Sequence, residues 1–436
     1  MVDTHNTATA DTAALNPPAE KTNRRAWCML AMLTLAYVFN FVDRQILIVL
    51  QEPIKAEMGL SDVQLGLLSG FSFALVYVTA GIPIAYLADR TNRRNIITVS
   101  MTIWSAMTAL CGIAGNYSQL LLARIGVGIG EAGGTPPAHS MISDCFPPET
   151  RATALSIYSS GLQLGVVLGF VLGGTISQLY GWRVAFMLIG LPGVLFALVF
   201  LLTVREPRRN PPGNSSKDTN AASFRETIGS LLACRTFMRC ALAAGLTAFA
   251  SYGAGNFAPS FLMRNHGLSI SEVGLLLALF GGGSGLLGTF LGGFFADRLG
   301  RRDRRWYLWL PAGSLLLSLP LSLPYLMAEN LTVVITFMAL TTLMVNMYIG
   351  PVFAVSHSLV PPNTRATASA VLMFIVNMIG MGLGPVAVGL CSDLLQPIVG
   401  QDSLRYAMLA VMVLASPAVL LYLLSSRSYG DDYRSG

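Results

Sequence analysis

The octapeptide LADRTNRR at residues 87–94 returns as FADRLGRR at residues 295–302, 208 positions downstream. The same offset carries GLSDVQLGLL, from Gly59, onto GLSISEVGLL, from Gly267. A second pair, PPETRATA from Pro147 and PPNTRATA from Pro361, lies 214 positions apart. Two duplicated signatures at near-equal offsets mark the chain as two copies of one unit. Copies with the same topology are related by an axis along the membrane normal, with a binding site between them.

Membrane residence follows from composition. The 436 residues are 53% hydrophobic and only 11% charged, with mean hydropathy +0.59, against about 25% charged in a soluble domain. The first 25 residues are polar and lack the apolar core of a cleavable signal, so the first span is expected to act as the insertion signal. Roughly 20 apolar residues cross the hydrocarbon layer. Apolar runs of that length predict helices at 26–50, 62–88, 95–115, 118–141, 151–179 and 183–203. After a polar stretch they resume at 237–263, 271–296, 306–327, 331–356, 366–391 and 404–425. The expected fold is therefore an all-α membrane protein of twelve transmembrane helices in two pseudo-symmetric six-helix bundles. Its parts are an N-terminal tail (1–25), an N-terminal bundle (26–204), a linker (205–236), a C-terminal bundle (237–426) and a C-terminal tail (427–436).

Charge sets the orientation. The tails, the linker and the loops on their side hold 22 of the 28 Lys and Arg residues, whereas the opposite loops keep Lys55, Arg183, Arg264 and Arg405. The positive-inside rule makes both termini and the linker cytoplasmic, in a multi-pass protein of the cell inner membrane. The remaining two, Arg44 and Arg124, lie within spans. The six cysteines are scattered without a CxxC pair, as core thiols are.

The paired DRxxRR loops have two readings. They serve as topology signals, or they act as gates. In the second reading Asp89 faces the start of helix 11 and Asp297 the start of helix 5, whose N-termini carry partial positive charge. Asp89, Arg93, Arg151, Asp297, Arg301 and Arg365 would then latch the two halves on the cytoplasmic side. GSGLLG at 283–288 matches a nucleotide signature but follows no strand. Gly281, Gly285, Gly288 and Gly292, like Gly161, Gly165, Gly169 and Gly173, read as close helix packing. No catalytic constellation, metal site or cofactor motif is present, and no nucleic-acid partner is expected.

These features resemble the major facilitator superfamily over nearly the whole chain, the doubled DRxxRR loop being that superfamily's best-known motif. Four of them resemble the spinster family of lipid transporters. They are NFVDR on helix 1 (40–44), LADRTNRR with Asn92 where most facilitators have glycine, RIGVGIGEAG on helix 4 (124–133) and VREPRR after helix 6 (204–209). Short tails and loops resemble a bacterial member. The resemblance implies secondary transport by alternating access, and eukaryotic spinster members are linked to sphingosine 1-phosphate export and lysophospholipid transport. GVVLGFVLGG on helix 5 resembles the superfamily's antiporter motif, with Phe170 where proline is expected.

In the superfamily, helices 1 and 4 line the central cavity, and here they carry Asp43, Arg44, Arg124 and Glu131. Arg124 and Glu131 are seven positions apart and share one helix face. Intramembrane charges usually pair, and matched depth favours Asp43 with Arg124. The cluster either only orders the bundle or works. In the working reading Asp43 and Glu131 sense protons, while Arg44 and Arg124 hold an anionic head group through forked hydrogen bonds. Ungapped, the repeat offsets carry the four charges to Ser251, Tyr252, Met338 and Val345, none of them charged. Tyr252, Asn256, Phe257, Met344, Met347 and Tyr348 nearby read either as packing or as a soft wall for an acyl tail. The expected substrate is an amphipathic lipid moved with protons by a membrane-embedded monomer. Small organic anions and multidrug efflux are the alternatives.

Overall fold

The computed structural model describes residues 24–207, 224–361 and 364–435. Most of the N-terminal tail and the middle of the linker lie outside them. Twelve membrane-spanning segments run in two six-helix bundles. In the first bundle these are α1 (Arg24–Val49), α2 (Asp62–Gly66, Leu67–Phe71 and Ser72–Arg90), α3 (Arg93–Cys111) and α4 (Tyr117–Glu131 and Thr135–Cys145). Next, α5 and α6 share one rod, Pro148–Thr203, divided where Gly181 takes φ 83°. That left-handed conformation is open to glycine at little cost.

In the second bundle, α7 is Arg235–His266 and α8 comprises Ile270–Leu276, Leu277–Gly282 and Gly283–Gly300. Trp306–Met327 forms α9, and Leu331–Asn346 with Ile349–Ser358 forms α10. Arg365–Val376, Asn377–Leu383 and Gly384–Val399 make α11, and Ser403–Leu414 with Pro417–Ser435 makes α12. The residues expected to form a polar C-terminal tail thus continue α12 as helix. Two short helices, Gln51–Met58 and Phe224–Ala233, were not legible as apolar runs.

Local chemistry explains the ends. Asn92 caps α3 by accepting the Asn95 backbone N–H at 3.0 Å, which favours the departure from glycine at that place. Ser61 with Gln64 and Ser269 with Glu272 form capping boxes at the repeat-equivalent starts of α2 and α8.

Two interruptions repeat between the halves. Helix α4 breaks over residues 132–134, just past Glu131, and α10 breaks at Met347 and Tyr348, 214 positions on from Gly133 and Gly134. Both α2 and α8 carry a π-helical turn. A third π-turn, Asn377–Leu383 in α11, has no counterpart in α5. Such a turn inserts one residue, so the 214-residue offset becomes 215 beyond it.

That shifted register is visible in the contacts. A Cβ on Gly66 would strike the Pro385 carbonyl, and one on Gly274 would strike that of Phe170. One on Gly389 would strike the Asp62 carbonyl, and one on Gly174 that of Ile270. Each pair maps onto the other at offsets 208 and 215. Close backbone approach therefore joins α2 to α11 and α8 to α5, across the halves. Of the glycine stripes, Gly161, Gly165, Gly169 and Gly173 all pack tightly on α1, and Gly288 and Gly292 on α10. Gly281 and Gly285 have room for a methyl group, so the packing expectation does not extend to them.

Candidate functional site

The two charged helices meet, but not in the expected pairing. The Arg44 guanidinium on α1 donates to Glu131 Oε2 on α4 through Nη2 at 2.5 Å and Nε at 3.2 Å. Arg124 donates instead to the Asp43 backbone carbonyl at 3.3 Å. The Asp43 carboxylate turns to Ser105 Oγ on α3 at 3.4 Å. The matched-depth pairing of Asp43 with Arg124 is corrected accordingly. Neighbours on a helix point about 100° apart, and azimuth, not depth, sends Arg44 to Glu131.

Exposure separates the four. Asp43, Arg124 and Glu131 are sealed, whereas the Arg44 side chain keeps 19% of its surface open. The expectation that Asp43 faces a wet cavity does not hold in this conformation. Arg44 also lies over three aromatic rings, 4.6 Å from the Phe73 centroid, 4.9 Å from Phe41 and 5.5 Å from Tyr77. Guanidinium on aromatic faces is a stable arrangement, and it gives Arg44 an apolar collar around a charged centre.

The cluster is incompletely satisfied. Asp43 Oδ1, Thr108 Oγ1, Arg124 Nε and Glu131 Oε1 are buried without a hydrogen-bond partner. Each such atom costs about 1–3 kcal/mol.

From the second half, Tyr252 on α7 is exposed. Asn256 is buried; its amide donates to the Tyr252 carbonyl at 2.9 Å while Oδ1 has no partner. Met344 is half-buried. Three others proposed for the wall sit in cores instead. Phe257 packs with Phe261 and Met338, Tyr348 packs with Val352 and Tyr422, and Met347 is buried against Gly292. The break in α10 turns Met347 and Tyr348 inward, which an unbroken helical wheel does not predict.

Among the described residues, the partners of the expected linker-side latch residues Arg93, Asp297 and Arg151 lie in their own half of the chain. Arg93 binds Asp144 of its own bundle at 2.5 Å and Glu206 at the start of the linker at 2.8 Å. Asp297 accepts from Tyr307 at 2.8 Å, Arg151 donates to the Phe146 carbonyl at 3.3 Å, and Arg365 is exposed. The Asp89 side chain lies outside the described residues.

Among the described residues, the hydrogen bonds and ion pairs that join the halves gather at the opposite end. Arg264 bridges Glu52 and Asp62, each at 2.6 Å. Lys55 adds a contact to Asp62 at 2.5 Å. Asp393 accepts the Asp62 and Val63 backbone N–H groups at 2.9 Å, capping α2 from α11. The pseudo-equivalent contact is Gln178 on α5, which accepts from the Ser271 backbone N–H at 3.1 Å. The sequence reading missed this ring, although GLSD beside a capping serine was a visible signal.

Comparisons with known proteins match this picture. The family described as Major Facilitator Superfamily matches residues 33–385 and again 240–432. An MFS-type efflux pump of Mycolicibacterium smegmatis is 35% identical over 410 residues, 94% of each chain. Protein spinster homolog 3 of Mus musculus is 28% identical over 391 residues, 85% of this chain and 76% of that one. Among solved structures, a bacterial homologue of the human lysosomal transporter spinster, inward-facing and unoccupied, superposes with TM-score 0.87 at 35% identity. It covers 95% of this chain and 99% of that one.

Proposed function

The chain belongs to the major facilitator superfamily, on its spinster-like branch, and from that premise we propose that it carries an amphipathic lipid across the membrane by alternating access, coupled to protons. The substrate class is a lysophospholipid or a sphingosine 1-phosphate-like molecule. One observation carries the reading: Arg44 is a half-buried cation held by Glu131 and collared by Phe41, Phe73 and Tyr77. The repeat-equivalent positions of the second half, Ser251, Tyr252, Met338 and Val345, carry no charge. A head group would take the guanidinium fork, and a tail would lie along Tyr252 and Met344, the aromatic and the methionine of the expected wall left outside the cores.

In this mechanism Glu131 and the head group compete for Arg44. Protonating Glu131 removes its charge, weakens the ion pair and frees Arg44 for an anion. Asp43 is the second proton site, and Arg124 holds its backbone in place. Closure by the Arg264 ring, together with the likeness to an inward-facing relative, supports a state open towards the cytoplasm. Positive charge on the linker side supports placing the linker and both termini there, in the inner membrane.

A second reading has specific support. The efflux pump at 35% identity and a probable galactarate/D-glucarate transporter of Bacillus subtilis, 28% identical over 67% of this chain and 69% of that one, favour drug efflux or small organic anions. Reconstituted flux decides between them. A lysolipid panel, run against hexose and carboxylate controls under an imposed pH gradient, should show saturable lysolipid movement. Saturable carboxylate movement without lysolipid flux overturns the lipid assignment.

A further inference from the structure

Comparing the two halves at the linker end exposes a second site. In the first bundle Arg93 is buried against Ser140 Oγ at 2.7 Å, Asp144 Oδ2 at 2.5 Å, Glu206 Oε1 at 2.8 Å and the Pro207 carbonyl at 3.4 Å. The arginine is thus neutralised by Asp144 of its own bundle and by Glu206 at the start of the linker. The repeat carries Arg93 to Arg301 at offset 208, and Ser140 and Asp144 to Ala354 and Ser358 at offset 214. A methyl group and a hydroxyl stand where the first half has a hydroxyl and a carboxylate.

The three equivalent positions do come together. Arg301, Ala354 and Ser358 line one open cavity of about 590 Å³ between α8, α9, α10 and α12, with Arg304, Tyr307 and Tyr429 around them. The Arg301 guanidinium makes no hydrogen bond or ion pair among the described residues, in contrast to Arg93. Ser358 and Tyr429 share a hydrogen bond at 2.9 Å. Asp297 is on the same wall, its Oδ1 occupied by the Tyr307 hydroxyl at 2.8 Å. Asp297 is thus already engaged, which leaves the exposed Arg301 guanidinium on this wall without a bonded carboxylate among the described residues.

We propose that this cavity is a phosphate-binding site, in which an external anion replaces the carboxylate that the first bundle supplies from Asp144. The Arg301 fork beside the Ser358 and Tyr429 hydroxyls suits a tetrahedral anion. The space exceeds what a side-chain carboxylate needs. Location names the first source: five arginines lie within residues 298–305, beside Trp306 and Trp309. Basic clusters at a helix end attract anionic lipid head groups, and tryptophans mark the interfacial depth. The second source is free phosphate. The inference is independent of the transported substrate, since none of these residues belongs to the Arg44 site.

The test uses the full chain in nanodiscs. One arm measures, by native mass spectrometry, the retention of phosphatidylglycerol over phosphatidylcholine. The other titrates inorganic phosphate into phosphatidylcholine discs at constant ionic strength and follows the thermal midpoint. Two variants separate site from fold: Arg301→Ala removes the cation, and Ser358→Asp restores the carboxylate of the first bundle. A roughly tenfold preference for phosphatidylglycerol, lost in both variants, supports the lipid source. Stabilisation by phosphate without lipid preference, also lost in both, supports the soluble source. Ser358→Asp should in addition raise the thermal midpoint without added anion. If wild type and Ser358→Asp retain lipid equally and phosphate changes neither, the proposal is overturned.

Discussion

Arg44 and Glu131, 87 positions apart in sequence, are bonded at 2.5 Å, whereas adjacent Asp43 and nearby Arg124 meet only through a backbone carbonyl. The four charges are thus one direct pair and one indirect contact, not two equivalent salt bridges. Breaking a buried pair by deleting one partner leaves an uncompensated charge. Glu131→Gln mimics the protonated acid and is therefore expected to leave Arg44 permanently without its competing carboxylate. By removing the step that releases the head group, it should lower transport at least tenfold. Fluorescence-detected gel filtration separates this from misfolding. Unchanged transport in a folded Glu131→Gln protein contradicts the role given to the pair.

The far-end ring makes a conformational prediction. Arg264 holds Glu52 and Asp62 while only 17% of its side chain is exposed. Losing hydrogen bonds to charged groups costs about 2 kcal/mol, roughly 30-fold in the ratio of states. Arg264→Ala should thus populate a state open at the far end, seen as faster labelling of a cysteine placed at Gln51. Labelling at the wild-type rate would show that the ring does not hold the gate.

Backbone contact supplies a second grip. Gly389 and Gly174 admit no Cβ against the Asp62 and Ile270 carbonyls, whereas Gly255 has open space. Overpacking of this kind costs about 1–3 kcal/mol. Gly389→Ala and Gly174→Ala should increase the same labelling, and Gly255→Ala should not.

Glu57 supplies the contrasting case at the same end. The Trp182 indole N–H and Arg183 hold its carboxyl below the usual carboxylate range. A depressed pKa stabilises above the ordinary carboxylate value, and the contribution is lost as pH falls through the depressed one. The group is exposed, so solvent screens it. Glu57→Gln should leave the thermal midpoint at pH 7 almost unchanged, while Arg264→Ala lowers it. A larger loss from Glu57→Gln would reverse this ranking of the two contacts.

Much of the fold was legible because duplicated loops and apolar runs are local signals. LADRTNRR with FADRLGRR gave the repeat, and Asn92 read as a departure turned out to be a cap. The π-turn of α11 was less obvious, since a single inserted residue leaves hydropathy unchanged. Its trace is the alignment of GFVLGG from Gly169 with GPVAVG from Gly384, at offset 215. That alignment also puts Pro385 where α5 has Phe170. At the site, sequence gave the four charges and their depths but not their directions. The breaks in α4 and α10 reset the helical phase, and so Met347 and Tyr348 turned inward unannounced.

Proton movement on substrate addition tests the central claim most directly. Proteoliposomes loaded with a pH-sensitive dye, given lysolipid without an imposed gradient, should show a lumenal pH change with wild-type protein. Asp43→Asn and Glu131→Gln should each abolish it, while Glu57→Gln keeps it. A wild-type-sized pH change in the folded Glu131→Gln protein, or lysolipid flux that moves no protons at all, would contradict the account of Arg44 and Glu131 as the coupling pair.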